Sequence, residues 1–391
     1  MPIINAASAV LFTLFTLFIP SFVSAVTHPG LLHSNEDFER IKGYISSGVE
    51  PQLSGWKRLE KRANKDYQPA AAETVCRGAS WCNPQNYPLL FRDAHSAYVN
   101  SVYWKLTGDA AFGNAAARTL DAWASELKVI TGSSDKFLVA GLQGYQMANA
   151  AEVLRDYSGW KGLEATITMM QDVFLPMNED FLRNHNGKSV EHYWANWGLA
   201  NLCSMHAIGV LTDNDTAIQM AYDTFKQGPG MEALPNAIWE IHTEEGSGKD
   251  LGQGQESGRD QGHSILNFAL LGTLAQQAWN QGEDLFGLMN NRILAGSEYV
   301  SKYNVGEDVP YTPYRDATVV GADGRGGNRP IAELLISHYE GIKGLNASWT
   351  QKYREQVLAA GGGAEGGGGD YGPNSGGYDQ LGFGTILYRR S

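Results

Sequence analysis

The densest run of proton-moving groups in the chain is Gln253-Gly-Gln-Glu-Ser-Gly-Arg-Asp-Gln-Gly-His263, at the entrance to the apolar stretch SILNFALLGTLAQQAW. On a helix, Glu256, Arg259 or Asp260, and His263 fall three or four apart and share one face. An arginine beside a histidine disfavours imidazolium, and a neutral imidazole is what a general base requires. The plain structural alternative is an Arg259–Glu256 ion pair with His263 capping a core. A second cluster, Glu191-His-Tyr-Trp-Ala-Asn-Trp197, opens another apolar stretch and places His192 and Asn196 one turn apart on one face. An asparagine among tryptophans either finds a structural partner or faces a cleft. Tyr193, Trp194 and Trp197 offer the flat surfaces sugars favour, or simply core. A third set runs through Asn291–Tyr303, with Arg292, Tyr299 and Tyr303 along one stripe, and on to Tyr311, Tyr314 and Arg315. Any of these tyrosines could act as a general acid, although tyrosines of core and surface are far commoner.

The elements that must position these groups are helical. Apolar stripes at spacings of three and four mark helices over 35–47, 51–64, 88–107, 109–128, 137–157, 160–180, 189–211, 213–226, 261–280, 284–303, 329–343 and 349–358. Short breakers such as Thr107-Gly-Asp and Ser158-Gly separate them, which predicts stacked αα-hairpins rather than a simple bundle. Two long connections, 227–260 and 304–328, interrupt the rhythm and carry aromatic and charged residues, as functional loops do. The segment 361–377 holds ten glycines in seventeen residues and reads as a flexible lead into a final docked strand, Gly382–Tyr388. No domain boundary is evident within 26–360.

Composition narrows the function. The 391 residues are 43% hydrophobic and 18% charged, a folded globular balance, and the formal charge of −12 excludes a basic nucleic-acid-binding face. Residues 9–19 (AVLFTLFTLFI) and the small-residue sequence Val23-Ser24-Ala25 predict a signal peptide over 1–25 and a secreted, extracellular chain over 26–391. Its n-region lacks Lys and Arg, and an uncleaved anchor is the alternative. No later segment approaches the apolar length of a membrane span. In an oxidising compartment Cys76 and Cys82 could close a local disulfide, while Cys203 sits in an apolar stretch as a buried thiol. Asn214 and Asn346 begin glycosylation sequons. Metalloprotease, nucleotide-binding and zinc motifs are missing, so neither metal nor cofactor is expected.

Taken jointly, Glu256-Ser-Gly-Arg-Asp-Gln-Gly-His263, the Asn196-Trp197 helix, Asn291-Arg…Glu298-Tyr…Lys-Tyr-Asn304, Asp284-Leu-Phe-Gly and Arg329-Pro-Ile…His338-Tyr339 resemble the alginate-lyase family of polysaccharide lyases, in its secreted, fungal-type form. The resemblance runs from about residue 88 to the C-terminus. It implies an all-α fold, an (α/α) toroid or incomplete helical-hairpin barrel, here with a short C-terminal extended segment. The chain is expected to be a monomer. The resemblance also implies cofactor-free β-elimination on 4-linked uronic acid chains such as alginate or glucuronan. In that chemistry the proton beside the carboxylate is hard to remove, because the enediolate formed carries two negative charges, so the carboxylate must first be neutralised. Asn196 matches the family's neutralising asparagine, with Arg259 and His192 as helpers. His263 is then the base, with Gln255 and Glu256 orienting Arg259 or the histidine. Relatives often carry a tyrosine seven residues after this arginine. Here that position is Leu266, so the acid must come from Tyr299, Tyr311 or Tyr314, unless His263 serves in both directions. Trp197, Arg292 and Arg315 complete the expected binding set, and Arg259, Arg292, Arg315 and Arg325 are expected to converge on the groove. Two other readings compete. One is a toroidal glycoside hydrolase using two carboxylates among Asp93, Glu256 and Asp260. The other is a secreted carbohydrate-binding protein whose catalytic groups are vestigial.

Overall fold

In a computed structural model, which describes residues 25–390, helices buried on every side alternate with helices buried along one stripe. The expected signal segment, up to Ser24, lies outside the described residues. α1 (Asn35–Ser47) and α2 (Gln52–Arg62) lead to β1 (Thr74–Arg77), α3 (Tyr87–Thr107), α4 (Ala110–Glu126), β2 (Val129–Gly132), α5 (Lys136–Leu154) and α6 (Leu163–Met169). A π-turn, Met170–Phe174, runs into α7 (Leu175–Asn184), followed by α8 (Ala195–Leu211), α9 (Asp215–Gln227) and the single turn α10 (Leu234–Ala237). Then come β3 (Ile238–Thr243), β4 (Asp250–Gly254), α11 (Gln261–Asn280), α12 (Leu288–Asn304), α13 (Ala332–Tyr339), α14 (Ser348–Ala360) and α15 (Gly384–Leu387).

α5, α8 and α11 are buried along almost their whole length, whereas α4 and α9 bury one stripe. A helix apolar all round has to be wrapped by others. Accordingly α3, α5, α8 and α11 pack one against the next as an inner row, and α4, α7, α9 and α12 return outside it. This is the (α/α) toroid expected from the sequence. Neighbouring inner helices run parallel. Asn201, early in α8, donates to the Phe137 carbonyl at 3.2 Å at the start of α5. At the other ends of the same helices, Arg155 donates to the Leu211 carbonyl. β1 and β2, which lead into α3 and α5, pair in parallel and bring those two N-termini together. One rim of the toroid therefore gathers helix N-termini, with their free N–H groups and positive dipole ends.

The long connections are more structured than the sequence suggests. Residues 227–260 hold the antiparallel β3–β4 hairpin. The glycine-rich segment 361–377 is packed rather than loose: Glu365 is buried and accepts from the Gly384 N–H at 2.9 Å. Gly368 lies so close to His95 that a Cβ there would sit 2.3 Å from the ring, so its missing side chain serves close approach rather than flexibility. The expected final strand over 382–388 is instead the short buried helix α15. Cys76 and Cys82 are joined by a disulfide, and Cys203 is buried, which pushes its thiol up. Asn214 caps α9 by accepting from the Ala217 N–H, while Asn346 is exposed. Among the described residues no helix is long and apolar enough to cross a membrane.

Candidate active site

Asp260 ends the β4 connection and starts α11. One carboxylate oxygen accepts from the His263 backbone N–H at 2.8 Å, as an N-cap does, and the other accepts from His263 Nδ1 at 2.7 Å. With Nδ1–H held by Asp260, the Nε2 lone pair is the one that can receive a proton, and it faces only a long 3.5 Å contact from Arg259 Nη2. Burial pushes the Asp260 carboxyl up. The two bonds from His263, with the His263 and Arg259 charges, more than offset this and hold it below the usual carboxylate range. The His263 side chain is 40% exposed, so a substrate can reach it.

Arg259 links this pair to the neighbouring helix. Its Nη1 donates to Glu256 Oε2 at 3.0 Å, its Nε lies 3.5 Å from Asp260, and its Nη2 lies 3.5 Å from His263 Nε2. Glu256 is wholly enclosed, and its other oxygen accepts from Asn196 Nδ2 at 2.5 Å. Burial pushes the Glu256 carboxyl up to about 7, against the pull of the Arg259 guanidinium. Asn196 lies in the first turn of α8 and Arg259 just ahead of α11, so one buried carboxylate holds donors from two helices together. Asn196 is itself buried, whereas Arg259 is partly exposed, so its other N–H groups are the ones that first meet an incoming anion, which the N-terminal rim also favours.

Gln255 clamps the same junction. Its Oε1 accepts from the Ala195 N–H at 2.7 Å and its Nε2 donates to the Tyr314 hydroxyl at 3.0 Å. Tyr314 rings with Trp239 at 5.1 Å and Trp194 at 6.4 Å, forming an aromatic wall. The connection after α12 is zipped onto the 253–261 run: Gln253 pairs with both backbone groups of Thr312, Gly321 N–H donates to the Ser257 carbonyl, and Gln261 N–H to the Asp323 carbonyl. The Tyr311 hydroxyl presses on Gly258, where a Cβ would lie 2.1 Å away.

Asn196, Gln255, Glu256, Arg259, His263, Tyr311, Tyr314 and Arg315 are thus brought together, and several other expectations need correction. α8 starts at Ala195, not 189, so His192 precedes the helix, is exposed, and stands edge-on to Tyr193. Trp197 packs with Phe181 and Tyr193, and Trp194 is the tryptophan against Arg259. Tyr299 is buried and donates to the Pro310 carbonyl at 2.7 Å, its hydroxyl pushed further up by burial. Arg292 donates to the Ile238 carbonyl at 2.6 Å, and Arg325 to the Tyr303 carbonyl at 2.8 Å. Only Arg259 and Arg315 of the four arginines approach Trp194, because the other two are spent on backbone carbonyls. Asp93 is enclosed by Tyr67, the Ala70 N–H and Trp123, and none of these partners bonds to Glu256 or Asp260. Leu266 is buried in apolar packing. Spacing alone does not assign Asp260 as the partner of His263, although an Asp three residues ahead of a His at a helix start is a capping signal. Nothing local in strand β3 announces that Trp239 joins this wall.

Comparison with known proteins matches residues 59–309 to the alginate lyase family model. No curated protein matches the chain by sequence. Among solved structures, an alginate lyase from Bacteroides ovatus superposes with a TM-score of 0.58 at 12% identity, covering 84% of this chain and 96% of that one. Alginate lyase A1-III from Sphingomonas species A1 gives 0.53 at 14% identity, covering 83% and 92%. These likenesses are of fold.

Proposed function

The chain belongs to the alginate lyase family and is a polysaccharide lyase, and on that premise we propose that it cleaves 4-linked uronic acid polymers by β-elimination. Asn196 and Arg259 bind the sugar carboxylate and draw charge off the enediolate. His263 Nε2 takes the proton from the carbon beside that carboxylate, with Asp260 holding the ring and stabilising the imidazolium formed. The bond from the next carbon to the bridging oxygen then breaks, and Tyr314 protonates the departing oxygen, leaving a carbon–carbon double bond in the new end. The observation that carries this reading is the unbroken chain Asn196–Glu256–Arg259–His263 across two helix starts. The apolar N-terminal run supports export from the cell, with 26–391 acting as a single monomeric unit and Asn214 and Asn346 as glycosylation sites.

The test is ultraviolet absorbance of the conjugated product during incubation with polymannuronate, polyguluronate and glucuronan. Absorbance growth on at least one polymer is expected; new reducing ends without absorbance would mean hydrolysis. His263→Ala should cut kcat by about 10²–10⁴-fold, the range for a positioned acid–base group, and full turnover in that variant would remove His263 as the base.

A further inference from the structure

Arg315 sits in the left-handed region at φ 52°, where a non-glycine residue is strained. Strain of this kind persists where the surroundings impose it, and it clusters at ligand sites. Here the surroundings are explicit. The guanidinium carbon lies 4.1 Å from the centroid of Trp194 and 5.7 Å from that of Tyr314, and Nη2 donates to the Glu191 carbonyl. The side chain is exposed and has no ion pair with a carboxylate among the described residues. Arg259, whose guanidinium carbon is 5.4 Å from the same indole, is by contrast paired to both Glu256 and Asp260. Two guanidinium groups therefore share one tryptophan. One is built into the reacting centre. The other is held out beside an aromatic wall with its charge unanswered.

A guanidinium laid over Trp194 without a carboxylate partner, next to the Tyr314–Trp239 aromatic pair, suits a sugar ring bearing a carboxylate: the sugar packs on that pair and the remaining guanidinium N–H groups take the acid. We infer that Arg315 binds the carboxylate of the uronate next to the one being cleaved, so that the enzyme reads two successive carboxylates and prefers uninterrupted polyuronate. This rests on the lyase reading above and adds the neighbouring subsite. A contact of this type is a charge-assisted hydrogen bond, whose loss reduces binding about tenfold or more.

The experiment compares wild type with Arg315→Asn on a homopolymeric polyuronate and on the same polymer after partial carboxyl reduction, which leaves uronates flanked by uncharged sugars. Asparagine tolerates the left-handed backbone, so the melting temperature checks that the fold is kept. Wild type should lose about tenfold or more in kcat/KM on the reduced polymer. Arg315→Asn should show that loss already on the intact polymer, with little further fall, and Arg315→Lys should recover part of it. An Arg315→Asn enzyme with the wild-type ratio between the two polymers, or a variant that melts early and loses equally on both, would overturn the inference. Retardation in native gels containing each polymer is read alongside: retardation by intact polyuronate that Arg315→Asn loses supports the carboxylate contact. Should that occur with no unsaturated product from any polymer, the lyase reading fails by itself.

Discussion

Glu256 is a carboxylate whose task is to hold other donors, and its burial makes that task depend on pH. The folded-state value is raised from an ordinary 4.5 to about 7. The folded protein therefore keeps this proton to a higher pH than the unfolded chain does, and ionising Glu256 costs stability as pH rises through that window. Ionisation is nevertheless what lets it grip Arg259 fully. We expect kcat/KM on a polyuronate to rise as pH passes through about 7, with the charges of Arg259, Asp260 and His263 all facing the same centre. Glu256→Gln should flatten that limb and run about ten- to a hundredfold slower, while losing less stability toward alkaline pH than wild type. A pH–rate profile on both proteins, with thermal melts at each pH, checks this; an unchanged limb in Glu256→Gln would assign the titration elsewhere. The residues concerned are visible in the sequence as a cluster, but which atom faces which is not, since His263 lies within a helical turn of both Arg259 and Asp260 and the spacing does not choose between them.

Among the elements, the connection of 304–328 is the least obvious and the most consequential. It contributes Tyr314 and Arg315 only because it is fastened to the run 253–261 by Gln253, Ser257 and Gln261. Gly258 is where the two pieces touch: a side chain there would meet Tyr311 and, at 2.5 Å, Ala317. Gly258→Ala should cost about 1–3 kcal/mol through overpacking and raise KM for polymer by shifting the aromatic wall. Denaturant unfolding together with steady-state kinetics would show both, and a variant as stable and as active as wild type would mean that the connection yields freely. The disulfide loop is a simpler case. Closing so short a loop contributes about 2 kcal/mol by the chain-entropy account, and Cys76→Ser with Cys82→Ser should lower unfolding stability by about that much.

At the scale of the whole molecule, the toroid has two unlike ends. The N-terminal rim of the inner helices carries the site; near the far ends, the chain's first described residues are tied down. His28 Nδ1 lies 2.6 Å from Glu152, near the end of α5, and Nε2 lies 3.0 Å from Asp213, just past α8. The bond to Glu152, with Asp213 adding to it, raises the His28 value above its ordinary 6.5 despite burial and the nearby Arg155. A raised histidine contributes its stability fully below 6.5 and loses it as pH rises through the folded value. Melting temperatures of wild type and His28→Gln should therefore differ most at acid pH and converge in alkali. A gap that stays constant across pH would show that packing, not charge, holds this segment.

The sequence by itself determined the helical architecture, because a period of three and four in apolar residues is a local property that each segment states for itself. It placed α1 and α11 residue for residue, and it singled out Asn196, Arg259 and His263. Tertiary structure decided the rest. Whether Arg292 and Arg325 reach the site or hold the Ile238 and Tyr303 carbonyls depends on which backbone acceptors the folded chain leaves within reach. The glycine-rich segment 361–377 packs because the surfaces that fill it, His95 among them, come from hundreds of residues away. Side-chain pairing between distant elements is a property of the closed toroid, and no window of sequence contains it.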